Sequence, residues 1–458
     1  MTEIKLSKYL SLFKEVSIAP LIIFRIIFGV LMFLGTIRFI SKGWIEQLYI
    51  DPDYYFGYLG FEWIKPLEGQ LMYLPFLLLL ISPLFILLGF LYRVSSITFF
   101  ICFTYIELLD KSNYLNHYYF VSLIALIMIF LPAHRNFSID TKIWPKIKTV
   151  STKQWTISLI KLQLAIVYIF AGIAKLNSDW LIHAKPLKIW IQAHHNIPFI
   201  GPLMQQEWLA YLFSWTGCCY DLFIVFFLLS NRSRPIAYLF VIVFHLLTWY
   251  LFPIGVFPWV MIFSTLIFFS PKFHERILNL LSRSNWKKNV IENIKLSHTR
   301  KKIIISLLTL YIAIQIIIPF RHVLYPGNLF WNEEGFRFSW RVMIMHKVGL
   351  ATFYMVDPKT GRESEINNSK FLTRTQEGQM ATQPDMILQY AQILKNYHHG
   401  KTFHYGNQKF LIENPEIRAK IYVSVNGRPS QLFVDKKHDL TKLEYNLSHR
   451  TWLEPFNK

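Results

Sequence analysis

The chain has 458 residues, of which 53% are hydrophobic and 17% aromatic, and its formal net charge is +20. Its mean hydropathy of +0.31 and its recurring apolar stretches of about 20 residues exclude an ordinary soluble protein and indicate several membrane crossings. No RNA- or DNA-binding motif accompanies the positive charge, so we expect no nucleic-acid partner. The basic residues lie mostly between the apolar stretches, where they set topology against anionic lipid.

Apolar stretches in the first 320 residues predict a polytopic α-helical membrane protein with about nine spans. The first stretch begins near Ile18 and is too long for the hydrophobic part of a cleavable signal, so we interpret it as a span. The third stretch is short, and the seventh and eighth meet at a tight turn, so eight spans remain an alternative. The predicted spans are residues 18–40, 71–92, 95–110, 114–132, 155–175, 208–230, 235–252, 254–270 and 303–320.

The connections between these spans differ in charge. Loop 133–154 has five basic residues against one acidic residue, and the stretch 271–302 has nine against two. Loop 41–70, on the other side in a nine-span topology, has two against five. The positive-inside rule therefore favours a cytoplasmic N-terminus and an extracytoplasmic C-terminal region.

The region after the last span has a different pattern. We predict a membrane domain over residues 1–320 and a β-rich (α+β) extracytoplasmic domain over residues 321–458, in which short apolar runs alternate with turn residues. Within it we expect strands at "FRFSWRVMIMHK" and "LATFYMVD", an amphipathic helix at "QPDMILQYAQILKNY", and a hairpin around Asn426-Gly427 in "AKIYVSVNGRPSQLFVD".

Four ionisable residues lie inside the predicted spans. Charges within a bilayer are costly and are usually paired or functional. We expect these residues to pair with one another and fix the packing of the helices. They are Arg25, Glu107, Asp221 and His245.

Three further polar residues lie near the outer ends of predicted spans. Asn116 and His117 begin the fourth span, and Lys175 ends the fifth in "AGIAKLNSDW". The nine-span topology places them at a similar depth, so we expect His117 and Lys175 to share one pocket beneath an interfacial belt of aromatic residues. Spacing leaves two interpretations of Lys175 open: an ammonium that extends to the membrane surface, or a buried amine that accepts a proton.

Other constellations are weak. The pairs His194-His195 and His398-His399 lack the spacing of metal ligands, so we expect no metal site. The three cysteines lie in apolar runs and form no CxxC motif or disulfide framework. No phosphate-binding loop or nucleophile elbow occurs.

Several segments, spread in order over most of the chain, resemble the vitamin K-dependent γ-glutamyl carboxylase family, whose membrane part is called the HTTM domain. In the membrane part they are "LIIFRIIFGVLMF", "LYRVSS", "LLDKSNYLNHYYF", "VYIFAGIAKLNSDW", "CYDLFIVFFLL" and "FPIGVFPWVMI". In the C-terminal region they are "GFRFSWRVMIMHK", "IYVSVNGRPSQLFVD" and "HRTWLEPF".

The resemblance implies a reaction and a set of residues. The family uses reduced vitamin K, a naphthoquinol that reacts with O2 and leaves as its epoxide, to remove a γ-proton from a protein glutamate, which then adds CO2. In this sequence Lys175 matches the family's initiating base, while Asn116 and His117 match the pair that positions the quinone and supports the step with CO2. Ser339 and Trp340 match the lumenal "SW" stretch, and Met343 matches a quinone-contacting position. The implied partners are the lipid bilayer and a glutamate-containing protein or peptide.

The chain also departs from the animal enzymes. It has no cysteine in loop 41–70 or beyond Cys219, so the disulfide that joins their two parts is absent, and it ends with "TWLEPFNK", where the animal enzymes continue. We therefore expect a bacterial relative in the bacterial inner membrane. A quinol epoxidase without carboxylation and a non-catalytic membrane receptor or scaffold remain alternatives; a transporter is disfavoured because no inverted repeat is evident.

Overall fold

The computed structural model describes residues 11–282, 296–405 and 408–457, with side chains described outside residues 403–410. Within this part of the chain, nine apolar helices correspond to the nine predicted spans. They are α1 (Ala19–Ser41), α2 (Tyr73–Leu88), α3 (Tyr92–Leu109), α4 (Asn116–Phe130), α5 (Gln154–Lys175), α6 (Glu207–Leu229), α7 (Arg234–Leu251), α8 (Phe257–Ser264) and α9 (His298–Phe320).

Seven of these nine helices are long and apolar enough to cross a membrane, α2 when the 3-10 turn at Gly69–Met72 that precedes it is included. The other two, α4 with 15 residues and α8 with eight, are shorter than a usual membrane-spanning helix, although a 3-10 turn at Thr265–Phe268 extends α8. A count of nine crossings therefore stays a prediction.

The helices pack in two series that follow the chain. Helices α1 to α4 pack in sequence, α5 to α8 do the same, and α8 also packs on α1. Close approach of α1 and α2 depends on Gly29, because a Cβ atom there would lie 2.7 Å from the carbonyl oxygen of Pro83. At the helix end where α1 begins, strand β1 (Glu15–Ser17) pairs antiparallel with β2 (Ser151–Lys153).

The C-terminal region contains six strands and two helices. They are β3 (Lys347–Val356), β4 (Glu363–Ile366), α10 (Arg374–Met380), α11 (Pro384–His398), β5 (Lys401–Tyr405), β6 (Gln408–Ile412), β7 (Glu416–Val425) and β8 (Gln431–Val434). Four strands form an antiparallel sheet of order β4-β3-β7-β8, and β5-β6 is a separate hairpin. The amphipathic helix α11 contacts the sheet through β7 with an apolar face that includes Met386, Tyr390 and Leu394.

Three of the four predicted elements of this region are confirmed, and one is wrong. Strand β3, helix α11 and the β7-β8 hairpin occur as expected; Asn426 and Gly427 have positive φ angles of 54° and 72°, as a tight hairpin turn requires. Residues 336–346 form no strand, because Phe338, Trp340 and Met343 have positive φ angles that no extended strand accommodates. Non-glycine residues held in this conformation are strained and cluster at functional sites.

The C-terminal domain packs on one end of the membrane helices. Loop 41–70 contacts it where the Gln376 side chain donates to the Tyr54 carbonyl at 2.8 Å and that of Gln389 donates to the Gly57 carbonyl at 2.9 Å. Loop 176–206 contacts it where Arg428 donates to both carboxylate oxygens of Asp179 at 2.7 Å. Both connections lie on the predicted outer side. The predicted inner stretch 271–302 falls partly outside the described residues, and orientation in the membrane stays a prediction.

The expected pairing among the four ionisable residues of the spans is wrong. The Arg25 guanidinium donates to the carbonyl oxygens of Ala133 and Phe137 at 3.1 and 2.5 Å. Glu107 accepts a hydrogen bond from Ser122 at 2.5 Å, His245 Nε2 lies 3.1 Å from the Tyr168 hydroxyl, and Asp221 pairs with Lys175. Three of the four residues therefore interact with nearby neutral groups, and Asp221 pairs with a lysine at a helix end; none pairs with another member of the set.

Candidate active site

Lys175, the last residue of α5, forms a buried ion pair. Its Nζ atom lies 2.6 Å from Oδ2 of Asp221 on α6 and donates to the Ala171 carbonyl at 3.2 Å. Each side chain of the pair is only 8% exposed. The amine therefore points to a carboxylate inside the protein and does not extend to the protein surface; of the two interpretations of Lys175, the structure favours the buried amine.

A glycine allows the two helices to approach at this point. A Cβ atom at Gly172, three residues before Lys175, would lie 2.8 Å from the backbone nitrogen of Leu222 and 2.7 Å from its Cγ atom. Leu222 directly follows Asp221, so close contact between α5 and α6 at Gly172 brings the amine and the carboxylate together. The ion pair depends on this contact as well as on its own two side chains.

Lys175 is the last residue of α5 but lies far from the start of the neighbouring helix α6. Asp221 lies 14 residues after the first residue of α6, Glu207, or about 20 Å along the helix at 1.5 Å per residue. Short helices at Ser178–Leu181 and Lys185–Gln192 cover the end of α5 and lengthen the path to the surface. Lys175 therefore lies level with the middle of α6.

The ion pair lines a largely apolar cavity of about 290 Å³, which we call the Lys175 cavity. Its walls include aromatic side chains such as Trp180, Tyr220 and Phe244. The buried Tyr220 hydroxyl also lines the cavity, beside Tyr168, whose ring centroid lies 5.9 Å from that of Tyr220. The cavity thus combines apolar walls with a few polar groups, as small-molecule sites do.

His117 lies in a different cavity, contrary to the prediction of one shared pocket. It lines a polar cavity of about 740 Å³ between the helix ends and the C-terminal domain, and also an apolar cavity of about 80 Å³. We call the larger one the polar cavity. It adjoins the Lys175 cavity across a shared wall formed by Ile254, Phe257, Val342 and Met343. His117 and Lys175 therefore line two adjacent cavities instead of the single predicted pocket, because the wall separates them and Lys175 lies level with the middle of α6.

The remaining predicted site residues surround this wall. Met343 lines both cavities. The Asn116 side chain lines the polar cavity, donates to the Arg341 carbonyl at 3.1 Å and accepts from the Tyr114 hydroxyl at 3.0 Å. Asn116 thereby joins the start of α4 to the strained segment that contains Trp340 and Met343.

Trp340 contributes to the site indirectly. It is fully buried in the core of the membrane helices and stacks on Tyr119, with ring centroids 4.9 Å apart. It lines neither the Lys175 cavity nor the polar cavity among the described residues. The preceding Ser339 hydroxyl donates to the Phe336 carbonyl within the same segment. These contacts hold the backbone that carries Met343.

Sequence reasoning missed a cluster of charges at the domain junction. The Asp385 carboxylate lies 2.8 Å from Lys111 Nζ and 2.7 Å from an Arg337 nitrogen. Burial lowers the pKa of Lys111 to about 8, although Asp385 opposes the shift. Burial alone would raise the pKa of Asp385, but Arg337 and Lys111 outweigh it and hold the pKa well below its usual range. Lys111 and Asp385 are 274 positions apart in the sequence, so no local sequence pattern could predict their contact.

No group of three or more side chains suited to hold a metal ion occurs among the described residues. The side chains that line the two cavities offer an amine, carboxylates, imidazoles, guanidinium groups and hydroxyls. A buried amine and carboxylate beside an apolar cavity suit proton transfer to or from a ligand of low polarity.

The apolar helices and the docked β-containing domain define a polytopic membrane protein with an apolar cavity beside a buried ion pair. Residues 13–273 match the HTTM domain, and residues 300–458 match the vitamin K-dependent gamma-carboxylase lumenal domain. The chain belongs to the vitamin K-dependent gamma-carboxylase family. No solved structure matches it.

Proposed function

We propose that this protein is a membrane γ-glutamyl carboxylase that uses a reduced naphthoquinone, O2 and CO2, and that Lys175 is its initiating base. The observation that carries the proposal is the buried Lys175–Asp221 pair beside an apolar cavity in a chain of this family. The substrate we propose is a glutamate-containing protein or peptide.

The residues of the Lys175 cavity fit a reduced naphthoquinone. Its volume of about 290 Å³ is near the lower end of small-molecule cavities, and its aromatic walls suit a flat bicyclic ring. Lys175 and the Tyr220 hydroxyl are the groups that would bind the ring oxygens, and Met343 would contact the ring from the shared wall. When bound, the hydroquinone supplies the electrons for O2 and the strong base that the reaction at glutamate needs.

The protein's own residues have three tasks in this proposal. Lys175 and Asp221, 2.6 Å apart, form an ammonium–carboxylate pair at rest. Lys175 acts as the base once its proton has moved to Asp221, because the neutral amine can then accept a proton from the ligand hydroxyl. Aromatic walls exclude water, which strengthens these electrostatic interactions. His117 and Asn116 act from the polar cavity, where His117 supports the reaction at the glutamate and Asn116 holds the segment that carries Met343.

We further propose that the N-terminus is cytoplasmic, that the C-terminal domain is extracytoplasmic, and that the protein resides in a bacterial inner membrane. The match to a lumenal domain and the basic loops 133–154 and 271–302 support this orientation. A glutamate-bearing substrate would then approach from the outer side.

The test is an assay of purified protein in lipid nanodiscs with reduced naphthoquinone, O2, labelled bicarbonate and a glutamate-containing peptide. We expect epoxide formation and label in the peptide, and a loss of epoxide formation of about 10²- to 10⁴-fold in Lys175→Ala, the range typical of a general base. Lys42→Ala, which alters an exposed lysine after α1, serves as the control.

Each other outcome removes a defined part of the proposal. Full epoxide formation by Lys175→Ala would refute the base. Epoxide without label in the peptide would leave a quinol epoxidase and exclude the carboxylase. No turnover by the wild-type protein would favour a non-catalytic receptor or scaffold.

A further inference from the structure

The polar cavity contains more positive than negative charge. Its walls include four cationic side chains, and the three that come from the domain junction are already paired. Lys111 and Arg337 share the single carboxylate of Asp385, and Lys347 lies 2.9 Å from Glu333. These three cations are therefore paired with only two carboxylates, and the fourth cation adds to the excess of positive charge.

The fourth cation is Arg38, in the last turn of α1. It has no ion pair among the described residues. Its guanidinium carbon lies 4.8 Å from the ring centroid of Trp44, which supports one face of the group and leaves its N–H edge available. Arg38 lines both the polar cavity and the small apolar cavity, and His117 is one of the residues that line both with it.

Arg38 also lies against the segment that leads into the shared wall. A Cβ atom at Gly255 would lie 3.4 Å from Nη1 of Arg38, and Gly255 directly follows Ile254, a residue of that wall. An anion bound by Arg38 would therefore be held beside His117 and near the wall that borders the Lys175 cavity.

We propose that Arg38 binds the side-chain carboxylate of a protein-borne glutamate that enters the polar cavity; this proposal rests on the proposed function. A guanidinium group binds a carboxylate through two parallel hydrogen bonds, which fixes its orientation as well as its position. The γ-carbon of a glutamate is bonded to the carboxylate carbon, so this contact also sets its distance from the shared wall. Arg38 is in this sense a residue that selects glutamate over its neutral analogue glutamine.

A protein-borne carboxylate fits the enclosure better than a lipid phosphate. The C-terminal domain contributes one side of the cavity, including Glu333, Arg337 and Lys347. A peptide can enter between the two domains, whereas a lipid headgroup would have to leave the plane of the bilayer. We therefore commit to a peptide and treat anionic lipid as an outcome of the test.

The experiment is a double-mutant cycle of binding, measured without quinone. A fluorescent peptide with one glutamate and the same peptide with glutamine are titrated against the wild-type protein, Arg38→Gln and Lys42→Gln in nanodiscs of neutral lipid. We expect the wild-type protein and Lys42→Gln to prefer the glutamate peptide by about tenfold or more, as for a hydrogen bond to a charged group, and Arg38→Gln to lose the preference. Arg38→Lys should restore only part of it, because lysine lacks the fork geometry.

The outcomes separate this proposal from the proposed function. Retained preference in Arg38→Gln, or equal or no binding of the two peptides by the wild-type protein, would refute the carboxylate site. Loss of the preference when anionic lipid replaces neutral lipid would assign Arg38 to a lipid headgroup. Selective binding by a protein that turns over no quinol would leave the site and remove the proposed reaction, whereas quinol turnover without selective binding would do the reverse.

Discussion

The Lys175 cavity and the polar cavity share a wall but differ in how their charges are balanced. In the Lys175 cavity one ammonium faces one carboxylate 2.6 Å away, and the surrounding side chains are largely apolar. In the polar cavity cations from both domains outnumber the carboxylates, and Arg38 lacks a partner among the described residues. Internal neutrality suits an uncharged ligand, and an excess of positive charge suits an anion.

The largest effect should come from breaking the neutral balance of the Lys175 cavity. Lys175→Met leaves the Asp221 carboxylate buried without its cation, so we expect the free energy of unfolding to fall by about 3–5 kcal/mol. Adding Asp221→Leu removes the uncompensated charge and should recover most of that stability, but not quinol turnover. Thermal unfolding and epoxide formation, measured on the same preparations, check both parts.

This pair of variants separates a structural role from a chemical one. A double variant that regains epoxide formation would show that the ion pair only supports the fold. A single variant as stable as the wild-type protein would show that Asp221 is not held as a buried charge.

The second prediction concerns the junction that encloses the polar cavity. Asp179→Asn removes a carboxylate that accepts both hydrogen bonds from Arg428 and one from Asn426, so we expect a loss of about 2 kcal/mol. Limited proteolysis between the domains and chemical unfolding measure it. Glu363→Gln, which removes an exposed pair with Lys436, is the control and should change little.

The same pair gives a dependence on pH. Burial alone would raise the pKa of Asp179, but hydrogen bonds from Arg428 and Asn426 outweigh it and lower the pKa. Because the folded-state pKa lies below the unfolded value of about 3.9, the stabilisation is present at neutral pH and lost as the pH falls from about 4 toward the folded-state pKa. Asp179→Asn should remove this part of the acid dependence; an unchanged dependence would contradict the assignment.

The third prediction tests whether helix contact positions the ion pair. Gly172→Ala places a methyl group 2.8 Å from the backbone of Leu222, which should cost about 1–3 kcal/mol and reduce quinol turnover although Lys175 and Asp221 remain. Gly35→Ala in α1, where a Cβ atom meets nothing within 4 Å, is the control and should be neutral or slightly stabilising. Equal effects of the two substitutions would refute the positioning role of Gly172.

Local patterns in the sequence predicted much of the fold but less of the site. Apolar runs located the nine helices, and the alternation and Asn426-Gly427 signal located β3 and the β7-β8 hairpin. The prediction of a strand at residues 336–346 was wrong because hydrogen bonds from other elements hold this backbone in a strained conformation. One of them joins the Asn116 side chain to the Arg341 carbonyl, and sequence periodicity cannot reveal such contacts. Long-range packing also decided the partners of charged residues.

Lys175 illustrates this limit. Its sequence neighbours suggest a helix end near the membrane surface, but the covering helices and the contact at Gly172 place it level with the middle of α6. A lone acid in one span and a lone lysine at the end of another were visible signals of the pair. Their common depth was not, since it depends on where α6 begins relative to the end of α5.

The last prediction tests the orientation without a change in stability. In a Cys219→Ser background, which removes the exposed native thiol, Leu447→Cys places a thiol at a position that is 70% exposed on the C-terminal domain. We expect a membrane-impermeant reagent to label it in intact cells, and to label Lys272→Cys, at an exposed position at the other end of the helices, only after permeabilisation. The reverse pattern would place the C-terminal domain in the cytoplasm. The polar cavity would then receive its glutamates from cytoplasmic proteins, while the charge balance that distinguishes the two cavities would be unchanged.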